Sequence, residues 1–270
     1  MKIELSIIIV NYNGLKFLEN CLTSLQENLL NINHEIIIVD NKSIDESCKF
    51  IKSHFPNVKL IESSVNLGFG QGNNLGVANA LGQYLLLINN DTILLNQLKP
   101  ILEFLKNDTK IGVVGINMLN AKKEFLSAAG NFPNFQNMLL FKKLVNLGKD
   151  FKNGNFTKDF YEVDWLCGSF FLMTKKIYQE INGFDNDFFM YIEDIDFCKR
   201  ISDKGYKRIF LSKFNYIHFV GFNYKKNNQL VKGYQIYIDK HFYGHERIIM
   251  KIALRINKLL KTFKNTLRLE

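Results

Sequence analysis

The sequence predicts an α/β fold in which a mainly parallel sheet is flanked by helices. In the first half, short strand-like runs alternate with helix-like runs, and the connections between them are short. The strand-like runs, such as "LSIIIV" and "EIIIVD", are continuous and rich in β-branched residues, as in strands buried on both faces. The chain of 270 residues is long enough for one large domain with a substantial core.

The first half divides into five strand and four helix predictions. Apolar runs predict strands over 5–10, 35–40, 58–61, 84–89 and 111–116. Helical periodicity predicts helices over 18–29, 44–55, 74–82 and 96–106. The intervening "NLGFGQGNN" (66–74) is predicted to be a loop, because glycine and asparagine favour turns. Ligands collect beyond the carboxyl ends of parallel strands, so the polar loops there are expected to form one site.

The second half is less regular. Residues 120–162 show weak periodicity and are interpreted as a flexible, acceptor-side region. Order returns with a predicted strand, two helices and a further strand, over 163–174, 175–182, 193–206 and 207–211.

Composition excludes several classes of protein. Only three prolines and 47% hydrophobic residues exclude a disordered or collagen-like chain. Four widely spaced cysteines without a CxxC pair argue against a disulfide framework and a zinc site. The sequence shows no signal-peptide pattern and no apolar run approaching ~18 residues, so we expect a cytoplasmic protein.

The net charge of +9 is concentrated at the C-terminus. Residues 240–270 contain eight Lys/Arg and two Glu, a net +6, which leaves +3 for the other 239 residues. A nearly neutral body without a recognition motif argues against a nucleic-acid partner. In the basic segment, apolar residues recur at helical spacing: Ile248, Ile252, Ile256, Leu259, Phe263 and Leu267. This pattern predicts an amphipathic helix, packed on the body or lying on an anionic membrane through residues 246–270.

Two strand ends carry candidate ligand-binding residues. Asp40 and Asn41 follow the second strand, where a carboxylate can accept the imide N–H of a pyrimidine or bind a ribose. Asp91, preceded by Asn89 and Asn90, follows the fourth strand and can bind a divalent cation. Both groups are also common in turns and helix caps, so this reading of the residues leaves those structural roles open. The glycine-rich loop is a phosphate cradle or an ordinary turn.

The second half carries a candidate base. One predicted helical turn contains three acidic residues, Glu193, Asp194 and Asp196. These are more acidic side chains than stabilisation of a helix N-terminus requires. One of them is a candidate general base for an acceptor hydroxyl. His218 ends a predicted strand and is either a structural residue or a contact to a metal or phosphate.

In order along the chain, these segments resemble the inverting glycosyltransferases of family 2, which have the Rossmann-like GT-A fold. The resemblance covers roughly residues 3–222 and rests on the segments "SIIIVNYNG", "IIIVDNKSID", "NLGFGQGNN", "YLLLINNDT", "VDWLCGSFFLMTKK", "GFDNDFFMYIEDIDFCKRISDKGY" and "IHFVG". The "NND" motif followed by Thr is most similar to the rhamnosyltransferase-like branch, which acts on bacterial cell-surface polysaccharides.

The resemblance implies a role for each matching position. The donor, a dTDP- or UDP-linked sugar, would contact Asn11, Asp40, Asn41, Asn66, Gly68, Asn74, Asn89 and Asn90. Asp91 and His218 would hold Mg²⁺ or Mn²⁺. Asp194 would be the catalytic base, with Glu193 beside it, and Trp165 and Gly168 would lie on the acceptor side. Many members carry a basic residue near the position of Asn73, and this chain does not.

The same resemblance implies a division of the chain. Residues 1–239 would form the GT-A domain, with a donor-binding half (1–118) and an acceptor and base half (119–239). Residues 240–270 would form the C-terminal helix. The implied acceptor is a glycan or a lipid-linked sugar, and the implied location is the cytoplasm, peripherally on the inner face of the cell membrane.

Two other classes compete with this interpretation. A nucleotidyltransferase would carry a glycine-rich loop with Arg and Lys after the first strand, and "NYNGLKF" matches this poorly. A non-catalytic sugar-nucleotide-binding module would not need an intact set of Asp40, Asp91 and Glu193-Asp194.

Overall fold

A computed structural model describes residues 2–219 and 228–266. The strands are β1 (Leu5–Asn11), β2 (His34–Asp40), β3 (Lys59–Glu62), β4 (Tyr84–Ile88), β5 (Thr92–Leu94), β6 (Ile111–Leu119), β7 (Phe125–Leu126), β8 (Ala129–Gly130), β9 (Phe160–Glu162), β10 (Trp165–Leu166), β11 (Phe170–Thr174) and β12 (Lys207–His218). The helices are α1 (Leu15–Asn28), α2 (Ser47–His54), α3 (Gly68–Ala78), α4 (Lys99–Lys106), α5 (Phe135–Leu139), α6 (Asp150–Asn153), α7 (Lys175–Glu180), α8 (Glu193–Asp203), α9 (Asn228–His241) and α10 (Gly244–Thr266). A 3₁₀ turn spans Phe141–Lys143.

The central sheet has the strand order β3-β2-β1-β4-β11-β6-β12-β5. β3, β2, β1 and β4 are mutually parallel, and β12 runs parallel to β6. β11 is antiparallel to both of its neighbours, β4 and β6, and the short strands β5, β7 and β9 are also antiparallel to their partners. The predicted α/β fold, with a mostly parallel sheet between helices, is therefore confirmed.

Burial explains why the first strands were readable from sequence. Ile7, Ile8 and Ile9 of β1 are fully buried, so this strand has no solvated face, and α3 packs directly on it. α1 turns Leu18, Cys21, Leu22 and Leu25 inward at the expected helical spacing.

The predicted loop over 66–74 is wrong in large part, because Gly68–Ala78 is helix α3. Its glycines serve close packing. A Cβ at Gly72 would lie 3.0 Å from Val10, and one at Gly76 would lie 2.4 Å from the Ile8 side chain. The missing side chains let α3 lie directly on β1, which offsets the ~1 kcal/mol by which a helical glycine is disfavoured relative to alanine.

The second half is more structured than its sequence suggested. Residues 120–162 contain β7, β8, α5, α6 and β9, and their aromatic rings pack together. The Phe151 ring lies 5.1 Å from the rings of Phe156, Tyr161 and Phe210. The strand predicted over 163–174 is divided into β10 and β11 by a turn, and the strand predicted over 207–211 continues to His218.

The C-terminal segment forms two helices, since α10 begins at Gly244, where φ is +52°, and not at residue 240. α10 packs on α5 through Met250, Ala253, Leu254 and Asn257. The stripe expected to be its apolar face points elsewhere, because Ile248, Ile252, Ile256 and Leu259 are exposed. The side chain of Phe263 and all of Leu267 lie outside the described residues. In the described part of the chain, no helix combines the length and hydropathy needed to span a bilayer.

Candidate functional site

Asn11 joins the ends of three parallel strands. Its Nδ2 donates to Asp40 Oδ1 at the end of β2 (2.8 Å), and its Oδ1 accepts from Asn90 Nδ2 beyond β4 (2.7 Å). The backbone N–H of Ser43 donates to Asp40 Oδ2 (2.8 Å), so the aspartate also stabilises its own turn. The turn and pocket interpretations of Asp40 are therefore compatible. The expected convergence of these loops is seen in the structure.

Two further residues, Asn41 and Gly14, lie beside this network. Asn41 is buried, its Nδ2 donates to the Gly68 carbonyl, and its Oδ1 has no protein partner. An unpaired buried carbonyl oxygen is unfavourable and is available to a ligand N–H or O–H. Gly14 of "NYNG" was not among the predicted site residues. A glycine is required at this position, since a Cβ would lie 2.0 Å from Asn90 Nδ2.

Asp91 and His218 lie side by side where β5 pairs with the end of β12, since Thr92 is the strand partner of His218. Asp91 Oδ1 is 3.1 Å from His218 Nε2, and both side chains are about nine-tenths buried. Asn89 Nδ2 also lies 3.3 Å from Nε2, and His218 Nδ1 lies 3.4 Å from Met118 Sδ. A neutral imidazole protonated at Nδ1 would leave the Nε2 lone pair available to a cation.

The chemistry of these donors fits a divalent cation shared with a substrate. The described residues contain no group of three or more His, Cys, Asp and Glu that could hold a metal. Asp91 and His218 supply one carboxylate and one imidazole, which leaves most coordination positions to other ligands. Mg²⁺ sites are commonly built from one or two carboxylates together with substrate phosphates and water.

The turn between β10 and β11 connects the Asp91–His218 pair to the candidate base. Asn89 N–H donates to the Ser169 carbonyl (3.2 Å), and Gly168 N–H donates to Asp194 Oδ2 (3.2 Å). Ser169 Oγ lies 2.6 Å from the Tyr216 hydroxyl. Burial raises the pKa of Tyr216 well above its usual value, and the negative charges of Asp91 and Asp194 both add to the shift. Tyr216 thus lies within electrostatic reach of both carboxylates.

The two adjacent acids at the start of α8 differ in environment. Burial raises the pKa of Glu193 well above its usual range, the neighbouring Asp194 charge adds to this, and Glu193 Oε2 has no partner. Burial also raises the pKa of Asp194, to about 6, against hydrogen bonds from the Gly168 and Ile195 amides that lower it. Burial thus shifts the pKa of both acids upward, and the two backbone hydrogen bonds limit the shift of Asp194.

The backbone that presents these acids is strained. Tyr191 and Ile192, immediately before α8, have φ of +70° and +73°. The left-handed region is costly for a β-branched residue, at about 1–3 kcal/mol. α9 packs against this turn: Gly233 is so close that a Cβ would lie 2.7 Å from the Tyr191 carbonyl oxygen. His241 Nε2 of α9 also contacts Asp196 Oδ1 of α8 (2.7 Å).

Several predicted site residues hold the two halves together. Asn66 Oδ1 accepts from Gly68 N–H (2.9 Å), and Gly68, with φ of +76°, lies against the Phe189 carbonyl. Asn74 was expected to contact the donor, but its side-chain amide is hydrogen-bonded within the protein. Its Nδ2 donates to the Phe184 carbonyl, and its Oδ1 accepts from the Phe184 N–H and the Tyr178 hydroxyl.

Of the two residues expected on the acceptor side, Trp165 and Gly168, only Gly168 lies at the site. Trp165 is buried and donates its indole N–H to the Asn131 carbonyl (2.9 Å), so it offers little surface to an acceptor and acts as a packing residue. Gly168 does lie at the site, where its amide contacts Asp194 and a Cβ would lie 3.2 Å from Phe69.

The fold and the polar edge define a GT-A glycosyltransferase. The family model "Glycosyl transferase family 2" matches residues 6–182, and the chain belongs to that family. A second model, "N-terminal domain of galactosyltransferase", matches residues 155–225.

Curated relatives include rhamnosyltransferases. Rhamnosyltransferase WbbL of Escherichia coli is 30% identical to this chain, over an alignment that covers 79% of this chain and 82% of WbbL. The low-salt glycan biosynthesis hexosyltransferase Agl10 of Haloferax volcanii is 27% identical over 73% of this chain and 61% of its own. N-acetylglucosaminyl-diphospho-decaprenol L-rhamnosyltransferase of Mycobacterium tuberculosis is 22% identical over 68% of this chain and 66% of its own.

Solved structures share the fold. GalNAc-T7, determined with UDP, GalNAc and Mn²⁺, gives a TM-score of 0.67 at 18% identity, covering 88% of this chain and 48% of that one. TarS 1–349 of S. aureus, with UDP, gives a TM-score of 0.58 at 15% identity, covering 93% of this chain and 69% of that one. The chain spans about half the length of GalNAc-T7.

Proposed function

We propose that this glycosyltransferase is inverting and metal-dependent, and that it transfers rhamnose or another hexose from a dTDP- or UDP-linked donor. The acceptor would be a glycan or lipid-linked sugar in the synthesis of bacterial cell-surface polysaccharide. The observation that carries the proposal is Asp194, an aspartate with its pKa raised to about 6, joined through the Gly168–Ser169 turn to the Asp91–His218 edge. The named rhamnosyltransferases and the UDP-bound neighbours support the choice of donor.

In the proposed reaction, Asp194 removes the proton of an acceptor hydroxyl, and that oxygen attacks the anomeric carbon of the donor. The bond from the anomeric carbon to the diphosphate oxygen breaks, and a single displacement inverts the configuration. Asp91 and His218 would hold Mg²⁺ or Mn²⁺, which supplies neutralisation of the charge on the departing diphosphate. Asp40 and the free Oδ1 of Asn41 would bind the nucleoside. A base so placed contributes about 10²–10⁴-fold.

A lipid-linked acceptor would require the enzyme to work at a membrane surface.

The competing proposal, a non-catalytic sugar-nucleotide-binding module, predicts donor binding without transfer. It is disfavoured by the raised pKa of Asp194, since a binding module has no use for a base poised near neutral pH.

The metal and donor assignments are tested together by thermal shift. With Mn²⁺ present, we expect dTDP or UDP, and the matching sugar nucleotide, to raise the melting temperature, and GDP to have little effect. Asp91→Ala should abolish the Mn²⁺-dependent part of the shift, because the cation loses its carboxylate. Asp159→Ala, which alters an exposed aspartate paired with Lys213, is the control and should retain it. A full Mn²⁺-dependent shift in Asp91→Ala would remove Asp91 from the metal site.

A further inference from the structure

α10 presents three different faces. One is docked: Met250, Ala253, Leu254 and Asn257 are buried, and Asn257 Nδ2 donates to the Leu139 carbonyl of α5 (2.7 Å). This contact fixes the orientation of the helix on the body. The other two faces are therefore presented outward in a defined direction.

The second face is an apolar stripe without a partner among the described residues. It consists of six large side chains, each 39–69% exposed, here called the α10 stripe: Ile248, Ile249, Ile252, Ile256, Leu259 and Leu260. Four of them recur at spacings of four, four and three residues, which places them on one side of a helix. Single exposed apolar residues are ordinary, but a contiguous row of this kind marks an interaction site.

The third face is basic and borders the stripe. Arg247, Lys251, Arg255 and Lys258 recur every three or four residues along the same helix. Arg255 is exposed, and Lys251 contacts Asp239 of α9 (2.5 Å). The segment 240–270 carries a net charge of +6.

We propose that the α10 stripe inserts into an anionic lipid surface while the basic face contacts the lipid phosphates. Apolar and basic faces side by side on one helix suit the boundary between acyl chains and headgroups. A second copy of the chain is a poorer occupant, because it would bring another +6 segment against the first. The inference deepens the proposed function, since a lipid-linked acceptor would sit in that same surface.

Vesicle flotation of the full chain tests the proposal. We expect the protein to float with vesicles containing phosphatidylglycerol and to bind pure phosphatidylcholine vesicles far less. Ile252→Gln/Leu259→Gln should weaken binding about tenfold or more, because two inserting side chains are lost. Arg255→Gln/Lys258→Gln should weaken binding to the anionic vesicles about tenfold and leave the residual phosphatidylcholine binding unchanged.

The matched control is Leu30→Gln/Leu81→Gln, which removes two apolar side chains that are equally exposed on other parts of the surface. It should float like the parent. Equal flotation of the stripe variant and the parent, or no flotation of the parent, overturns the proposal. A lipid-free dimer that the stripe variant dissociates, seen by sedimentation equilibrium, would assign the stripe to a second copy instead. The UDP-induced thermal shift with Mn²⁺ reports the donor site separately, so a failure of the proposed function is distinguishable.

Discussion

Glu193 and Asp194 are adjacent in sequence but differ in their surroundings. Glu193 is buried with Oε2 unpaired, and burial, with the neighbouring Asp194 charge, raises its pKa well above the usual range. Asp194 receives two backbone N–H groups, and its pKa rises only to about 6. Environments that push the pKa values of two neighbouring acids apart are the usual way to assign acid and base roles.

The base role of Asp194 is tested by Asp194→Asn. The amide keeps the shape of the side chain but cannot accept the acceptor proton, so turnover should fall about 10²–10⁴-fold. Donor affinity should stay within about twofold, because Asp194 is proposed to contact the acceptor and not the donor. Transfer kinetics and UDP titration measure the two quantities. Retained turnover in a folded Asp194→Asn protein would exclude the assignment.

The pKa of Asp194 also predicts a pH dependence. Activity of the parent should rise as pH increases through about 6, where the carboxyl ionises. The folded-state pKa lies above the ordinary 3.8, so the folded protein binds the proton more tightly than the unfolded chain and loses stability as pH rises between these values. Asp194→Asn should therefore gain stability relative to the parent at pH 8 and little at pH 4, measured by urea unfolding. A gain independent of pH would contradict the assigned pKa.

At the scale of elements, α9 holds the strained turn that carries these acids. Gly233 approaches the Tyr191 carbonyl, His241 contacts Asp196, and Lys240 contacts Asp185 (2.8 Å) and Asp187 (2.7 Å). Two side chains of α9, through three contacts, and one close backbone approach therefore join α9 to α8 and to the segment that leads into it. The geometry of the proposed base thus depends on a helix that contributes no residue to the proposed chemistry.

Gly233→Ala tests this dependence. The added methyl group would lie 2.7 Å from the Tyr191 oxygen and 2.9 Å from Ile192 Cγ1, so the turn or α9 must shift. We expect turnover to fall about tenfold or more, since small misplacements of reacting groups are costly, while UDP affinity is kept. Gln235→Ala, at an exposed site on the same helix, is the control and should leave both unchanged. Normal turnover in Gly233→Ala would show that α9 does not position the base.

The sequence predicted the elements whose signal is local. β1, β2 and β4 could be predicted because continuous apolar runs have one common explanation, burial on both faces. Helix α3 was not predicted, because the sequence does not distinguish a glycine that allows close helix–strand packing from a glycine that makes a turn. The docked face of α10 was also missed, since the more apolar face of the helix is the one left exposed.

The site could be predicted where its residues follow strands or, as with Glu193 and Asp194, lie together in one helical turn. Asn11, Asp40 and Asp91 stand at strand ends, and topology brings such ends together. Gly233 and His241 hold α8 and the turn before it through contacts with residues some 40 positions earlier in the chain. No local sequence pattern predicts such a contact. Asn74 and Trp165 lie in the expected segments, but the structure engages their polar groups internally.

At the scale of the whole molecule, the two predicted halves share one sheet. β11, from the second half, lies between β4 and β6 of the first half and pairs with both. We therefore expect a fragment of residues 1–118 to lack a cooperative unfolding transition, because β4 and β6 would lose the strand that joins them. Circular dichroism during urea titration measures this, with the full chain as control. A cooperative transition in the fragment would establish the donor half as an independent folding unit.

The placement of β11 also bears on how the protein is synthesised. Residues 119–174 must follow β6 before the sheet can close, which takes about 3–11 s at ordinary rates of translation. During that interval the nascent chain carries two apolar strands with unpaired edges, which are templates for aggregation. Chaperone capture is therefore expected to be strongest while this segment is being translated, and to end only after β12, the other neighbour of β6, has entered the sheet.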